Sequence, residues 1–172
     1  MSVEDTVLFW KGCIYRMKFP EVAKSAERVF STADPKFITL GKKEGCCGAF
    51  YFLTGMLEEG KMEAKNVVEE IRETRAGTVV TECAGCYRAF SRTYPEHIGA
   101  PPFRILHGSQ YILKLLKSEQ LKFNPLRLDV AYHDPCELGR HCGLYDEPRS
   151  VLKAIPKLRL VETELNRENS MC

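Results

Sequence analysis

The sequence predicts an α/β protein with Rossmann-like, mostly parallel sheets and flanking helices. It is read as two pseudo-repeated units, the second of them truncated. Three observations predict this. Short β-rich runs alternate with stretches of helical periodicity along the whole chain, as in a parallel sheet covered by helices. Cysteines recur just after the predicted strands. The order strand, cysteine, proline-started helix, strand, cysteine appears twice, from Thr6 to Gly48 and again from Leu126 to Cys172.

The elements follow in order. Thr6 to Trp10 (TVLFW) reads as a strand. Pro20 to Phe30 reads as a helix, with Pro20 suited to its first turn and Val22, Ala23, Ala26, Val29 and Phe30 on one stripe. Lys36 to Leu40 is a second strand. Gly60 to Arg75 is a longer helix with Ala64, Val67, Val68 and Ile71 inward, stopped by Gly77. Thr78 to Thr81 is a third strand and Tyr87 to Tyr94 a helix. Phe103 to His107 reads as strand, Gln110 to Leu116 as helix and Leu126 to His133 as strand. Pro148 to Ile155 is a helix and Leu158 to Glu162 the last strand. The polar stretch from Lys117 to Pro125 suggests a boundary, giving a first unit over 1–120 and a partial second unit over 121–172.

Composition narrows the function. Hydrophobic residues make up 44% and charged residues 28% of the 172 residues, an ordinary soluble balance. A formal net charge of +2 is too small to neutralise many phosphates, so nucleic acid is not an expected partner. No apolar run approaches the roughly 20 residues that span a bilayer. Met1 to Lys11 has no basic leader followed by an apolar core, so a cytoplasmic location is expected. In a reducing compartment, clustered cysteines point to metal binding or catalysis rather than to structural disulfides.

Five of the eight cysteines fall in one ordered pattern: Cys13, then Cys46-Cys47-Gly48, then Cys83-Ala84-Gly85-Cys86. The spacers are 32 residues between Cys13 and Cys46 and 35 between Cys47 and Cys83. Five thiols exceed what one tetrahedral ion uses, but suit a multi-iron cluster whose irons each need a terminal ligand. Adjacent side chains such as Cys46 and Cys47 do not easily point at one ion, yet they can reach different atoms of a larger group. Zinc, and a set of packed thiols without metal, are the alternatives. Cys83 and Cys86 alone have the spacing of a thiol-disulfide redox pair, a reading that leaves Cys13, Cys46 and Cys47 without a role. No C-x-x-C-x-x-C-x-x-x-C-P run is present, so electrons would come from another subunit or domain. Lys11, Arg16, Lys42 and Lys43 lie close in sequence to the first cysteines. They could balance cluster charge, form a docking face for an electron donor, or simply face water. His133 and Asp134 are expected to share a structural hydrogen bond, Cys142 to be a small packed thiol, and His107 and His141 to be ordinary histidines.

The Cys, Cys-Cys-Gly, Cys-x-x-Cys pattern at these spacings resembles the cysteine-rich "CCG" domain proteins. Within that group the chain resembles the catalytic part of the D subunit of heterodisulfide reductase. It also resembles the iron-sulfur subunits of lactate-utilisation, glycolate oxidase and anaerobic glycerol-3-phosphate dehydrogenase systems. The matching stretches are Trp10 to Cys13, Leu40 to Gly48, His133 to Cys136 through Asp146 to Arg149, and Asn166 to Cys172. The resemblance implies a cluster held by Cys13, Cys46, Cys47, Cys83 and Cys86. In heterodisulfide reductases that cluster is a non-cubane [4Fe-4S] centre that handles substrate sulfur. The same resemblance makes Cys136 and Cys172 ligands of a second, incomplete site. It implies partner subunits that include a ferredoxin-like or flavin electron donor, a small-molecule disulfide or hydroxy-acid pathway, and a complex that can sit peripherally at a membrane. Larger relatives carry an N-terminal ferredoxin-like domain and continue into a second Cys-x-x-Cys, so a shortened or excised chain is expected.

Overall fold

The computed structural model describes residues 6–34 and 36–172. The first five residues, part of the segment expected to lack a leader, lie outside the described residues. Contacts divide the chain into two compact units, Met1–His107 and Gly108–Cys172.

The first unit is built on a four-stranded sheet, β1 (Val7–Phe9), β2 (Phe37–Thr39), β3 (Thr78–Thr81) and β4 (Arg104–His107), in the order β2-β1-β3-β4. All three pairings are parallel, with Leu8 opposite Ile38 on one side and Val79 on the other. β1 and β3 are the inner strands. Val7, Leu8, Phe9, Val79 and Val80 are buried, the near-continuous apolar run expected of a parallel strand covered on both faces. The chain leaves β1 to one side for β2 and returns to the other side for β3. The carboxyl ends of β1 and β3 therefore form a topological switch point, where open α/β sheets leave a crevice.

Helices α1 (Cys13–Met17), α2 (Pro20–Ala33), α3 (Ala49–Leu53) and α4 (Leu57–Glu73) lie between these strands in sequence. On α2 the buried positions are Ala23, Phe30 and Ala33, whereas Val22 and Val29, expected on the inner stripe, are exposed. Phe30 decides the rotation: it packs on the rings of Phe9 and Phe37, 5.3 and 5.7 Å away. α4 buries Gly60, Ala64, Val67 and Ile71, with Val68 half-buried. Its left-handed exit falls on Arg75 (φ 58°), two residues before the expected stop at Gly77. The helix expected over Tyr87–Tyr94 begins earlier, as α5 (Ala84–Arg88). It passes through a π-helical turn at Ala89–Thr93 and ends as α6 (Tyr94–His97).

The second unit contains α7 (Gly108–Lys117), β5 (Leu128–Ala131), α8 (Asp146–Lys153) and β6 (Leu158–Val161). β5 and β6 form a parallel two-stranded sheet with Leu128 opposite Leu158. Leu126, Leu128, Val161 and Leu165 remain exposed there. Mixed α/β architecture with parallel strands and flanking helices is thus what the chain adopts. Among the described residues, no helix is long and apolar enough to cross a membrane.

Candidate metal centre

Each cysteine of the first motif leaves the carboxyl end of a strand. Cys13 opens α1 after β1, Cys46 and Cys47 precede α3 after β2, and Cys83 and Cys86 flank the start of α5 after β3. The fold brings them together as a chain of contacts. Cys13 Sγ lies 3.7 Å from Cys46 Sγ, and Cys86 donates to Cys47 across 3.3 Å. Cys46 is hydrogen-bonded to Cys47, and Cys86 to Cys83. Cys47 and Cys86 are buried, and Cys13, Cys46 and Cys83 are half-buried. The inner side is apolar: Trp10, Phe90 and Tyr94 share one buried cluster with Cys47 and Cys86.

Gly12 makes this convergence possible. Its φ is +82°, in the left-handed region, and a Cβ there would stand 3.1 Å from Cys86 Sγ and 3.4 Å from Cys83 Cβ. The loop after β1 can pass the third-strand cysteines only because that position has no side chain. Gly48 plays a similar part, adopting φ +67° directly after the cysteine pair.

Hydrogen bonds sort the thiols by charge. Cys47 is held well below the usual thiol range, chiefly by hydrogen bonds from Cys46 and Cys86 and further by the backbone N–H of Ala49. Cys83 is lowered to about 7 by the hydrogen bond from Cys86, with help from the N–H groups at the start of α5. The donors move the other way: Cys46 and Cys86 are pushed up because each gives its proton to a neighbouring sulfur. Hydrogen bonding thus favours the thiolate at buried Cys47 and, less strongly, at half-buried Cys83.

The donor set is entirely sulfur. Among the described residues, no group of three or more His, Cys, Asp or Glu side chains is gathered around a single ion position. Five sulfurs strung 13-46-47-86-83 suit a group with several separated metal atoms, and suit one tetrahedral ion poorly. Trp10 Nε1 is buried with no hydrogen-bond partner among the described residues, an orphan donor in the same cluster as Cys47 and Cys86. Such a donor costs about 1–3 kcal/mol when nothing accepts from it. An acceptor-rich sulfide group would remove that cost.

Three tethers that sequence reasoning missed or misassigned hold the cysteine loops. Glu44, whose side chain is fully buried, accepts from the backbone N–H of Lys11 (3.0 Å) and Gly12 (2.8 Å). Arg16 donates to the Gly45 carbonyl at 2.7 Å and places its Nε 3.2 Å from Glu44 Oε1, so it joins two loops. Tyr94 donates its hydroxyl to the Cys47 carbonyl at 2.9 Å from the last turn of the interrupted helix. Burial raises the Glu44 carboxyl, and the two N–H groups and Arg16 oppose that rise. Lys11 pairs with Glu27 at 2.8 Å, while Lys42 and Lys43 are exposed. The cue for Glu44 was present but unused: an acid two residues before a cysteine pair, in an otherwise glycine-rich turn.

In the second unit, Cys136 and Cys172 are hydrogen-bonded to each other. The thiol of Cys136 is pushed up by that bond, and Cys172 is lowered by the Cys136 backbone N–H and thiol. Asp134 does not bond His133. Arg149 fills the carboxylate with two bonds of 2.6 and 2.7 Å, and the Arg167 N–H adds a third at 2.7 Å. His133 Nδ1 instead meets Ser170 Oγ at 3.3 Å. Cys142 is half-buried.

The cysteine-rich domain (CCG) family matches residues 7–91 and 130–172, so the chain belongs to that family. It is 32% identical to the D subunit of dihydromethanophenazine:CoB–CoM heterodisulfide reductase from Methanosarcina barkeri, over 100% of this chain and 44% of that protein. It is 32% identical to an uncharacterised iron-sulfur protein of Methanococcus maripaludis over 92% of this chain and 31% of the relative. It is 30% identical to the B subunit of fumarate reductase (CoM/CoB) from Methanothermobacter marburgensis over 91% and 30%. The chain spans less than half the length of these relatives. No solved structure matches it. The chain is therefore related to iron-sulfur oxidoreductase subunits, the D subunit of heterodisulfide reductase among them.

Proposed function

We propose that this chain is the cluster-bearing part of an oxidoreductase subunit that reduces a small-molecule disulfide. Cys13, Cys46, Cys47, Cys83 and Cys86 hold a [4Fe-4S]-type centre. The observation that carries this reading is the continuous chain of five thiols at the switch point of the parallel sheet. When bound, such a centre supplies single electrons and metal sites with high affinity for sulfur. Cleaving one disulfide bond takes two electrons and two protons and yields two thiols. The electrons come from a ferredoxin-like or flavin-containing partner subunit. The chain's own residues shape the site. Trp10, Phe90 and Tyr94 form an apolar wall behind Cys47 and Cys86, and Glu44, Arg16 and Tyr94 fix the loops that carry the sulfurs. Cys136 and Cys172, hydrogen-bonded to each other, belong to a second site. The assembly works in a reducing cytoplasm, free or attached at a membrane face.

Anaerobic purification followed by iron and acid-labile sulfide analysis tests this reading. Iron and sulfide in similar amounts are expected. Cys47→Ser is expected to remove most of the iron or change its EPR spectrum, and Cys142→Ser to do neither. Zinc without sulfide would replace the redox reading with that of a metal-stabilised partner-binding module, and equal effects of the two substitutions would mean that the wrong thiols are assigned.

A further inference from the structure

Two of the thiol contacts in the first unit, Cys47 with Cys86 and Cys13 with Cys46, are supported differently. Cys47 and Cys86 are buried in the Trp10, Phe90 and Tyr94 cluster, and Tyr94 holds the Cys47 carbonyl. Cys13 and Cys46 lie nearer the surface, on two loops 33 residues apart, and their sulfurs are 3.7 Å from each other. The residues before each of them meet at one side chain. Glu44 Oε2 accepts from Lys11 N and Oε1 from Gly12 N, while Arg16 reaches back from α1 to Glu44 Oε1 and the Gly45 carbonyl. No side chain caps α1 at Gly12, so the Gly12 amide at its start takes its acceptor from the other loop.

We propose that Glu44 is a positioning residue: it sets Cys13 against Cys46 and so places two of the five thiols of the seat before any metal arrives. The importance of that seat rests on the cluster reading above; the positioning itself does not. The chemistry asks for a carboxylate. Two diverging N–H groups need acceptors and the Arg16 guanidinium, an ion-pair partner at 3.2 Å, needs a counter-charge; a carboxylate offers two oxygens for the first and its charge for the second. A glutamine in its place would present one NH2 group to a backbone N–H, a donor facing a donor, and would leave Arg16 without its counter-charge. A buried carboxylate kept at this point is stable because every oxygen is engaged and a cation pairs it.

The test uses the full chain, metal-free, in two serine backgrounds. One retains only Cys13 and Cys46, the other only Cys47 and Cys86. Dibromobimane, which becomes strongly fluorescent when it bridges two nearby thiols, reports each pair. Glu44→Gln is expected to slow bridging of Cys13 to Cys46 by about tenfold, the loss of one or two charge-assisted hydrogen bonds, and to leave bridging of Cys47 to Cys86 unchanged. Arg16→Gln, a milder change that keeps the carboxylate, is expected to slow the same pair less. Unchanged bridging of Cys13 to Cys46 overturns the proposal. A parallel fall in both pairs, or loss of the folded circular dichroism spectrum in Glu44→Gln together with unchanged Cys13–Cys46 bridging in Arg16→Gln, overturns it as well, because Glu44 then supports the unit as a whole. Iron and sulfide loading of the wild-type chain judges the cluster separately. A selective effect in a protein that binds no iron would keep Glu44's role and discard the cluster.

Discussion

The two units hold their cysteines by opposite means. In the first, hydrocarbon does most of the holding. Leu8, Trp10, Val79, Phe90 and Tyr94 are buried around Cys47 and Cys86, and a buried carboxylate, Glu44, serves the loops at the rim. In the second, an ion network does that work beside a few buried apolar side chains, Tyr111, Leu115, Leu138 and Leu144. Arg149, 2% exposed, binds Asp134 in a forked pair, reaches Glu162 with two further bonds of 2.8 and 2.9 Å, donates to the Tyr145 carbonyl and lies over the Tyr132 ring at 5.2 Å. Asp134 in turn accepts from Arg167 N, and Arg140 holds the Ser170 carbonyl at 2.8 Å, so the segment carrying Cys172 is tied back beside Cys136. A four-stranded sheet can bury a core, whereas a two-stranded one has little to bury and leaves Leu128 and Val161 in water. Where area is short, directional charged bonds specify the loop instead. That is costly to desolvate and unforgiving of a missing partner.

The largest expected break in this contrast is Arg149→Leu. It strands Asp134 in a dry site and frees Glu162, and it should cost the second unit about 3–5 kcal/mol, the usual penalty for removing one partner of a buried pair. Hydrogen exchange read at the β5 and β6 amides should show the loss, with the β1 amides retaining their protection. Equal losses at β1 would mean that the two units are not stabilised independently.

A smaller effect sharpens the comparison from the first unit. His107 is buried, bonded through Nε2 to the Glu82 carbonyl at 3.3 Å, and its imidazole is lowered to about 4 because burial disfavours the cation. The unfolded chain takes up that proton near pH 6.5 and the folded one does not. Stability is therefore unaffected above about pH 6.5 and falls as pH drops from there towards 4, by about 3 kcal/mol in all. Urea unfolding of His107→Gln across this range should show a shallower acid slope than wild type. Identical slopes would show that the histidine is already protonated in the fold.

The smallest expected effect lies next to the largest. Arg159 and Asp129 pair across β5 and β6, but both are exposed to water. Arg159→Ala should leave the urea midpoint of the second unit unmoved, since solvent and salt screen such pairs. A loss comparable to that of Arg149→Leu would show that total charge pairing, rather than burial, stabilises this unit.

Much of the fold could be read directly from the residues. Valine-rich runs, a proline at the first turn of α2 and the apolar period of α4 specify strands and helices locally, because backbone preference and side-chain period act over a few residues. Placing cysteines after strands was enough to expect their convergence, because carboxyl ends of parallel strands share one edge. Other features depended on partners distant in sequence. Val22 and Val29 follow the period of α2 as well as Ala23 does, and only the Phe9 and Phe37 rings decide which side turns inward. His133 and Asp134 are neighbours in sequence, yet Asp134 belongs to Arg149 and His133 to Ser170.

The sequence by itself determined the parallel α/β architecture and the family, because both are written in local periodicity and in the spacing of thiols. Only the tertiary structure decided that Cys13 touches Cys46 and Cys47 touches Cys86, and that Glu44, Arg16 and Tyr94 serve the site. Those properties arise from hydrogen bonds between loops more than 25 residues apart. A buried carboxylate or a shared proton takes its character from what surrounds it in space, and the order of residues along the chain does not carry that information.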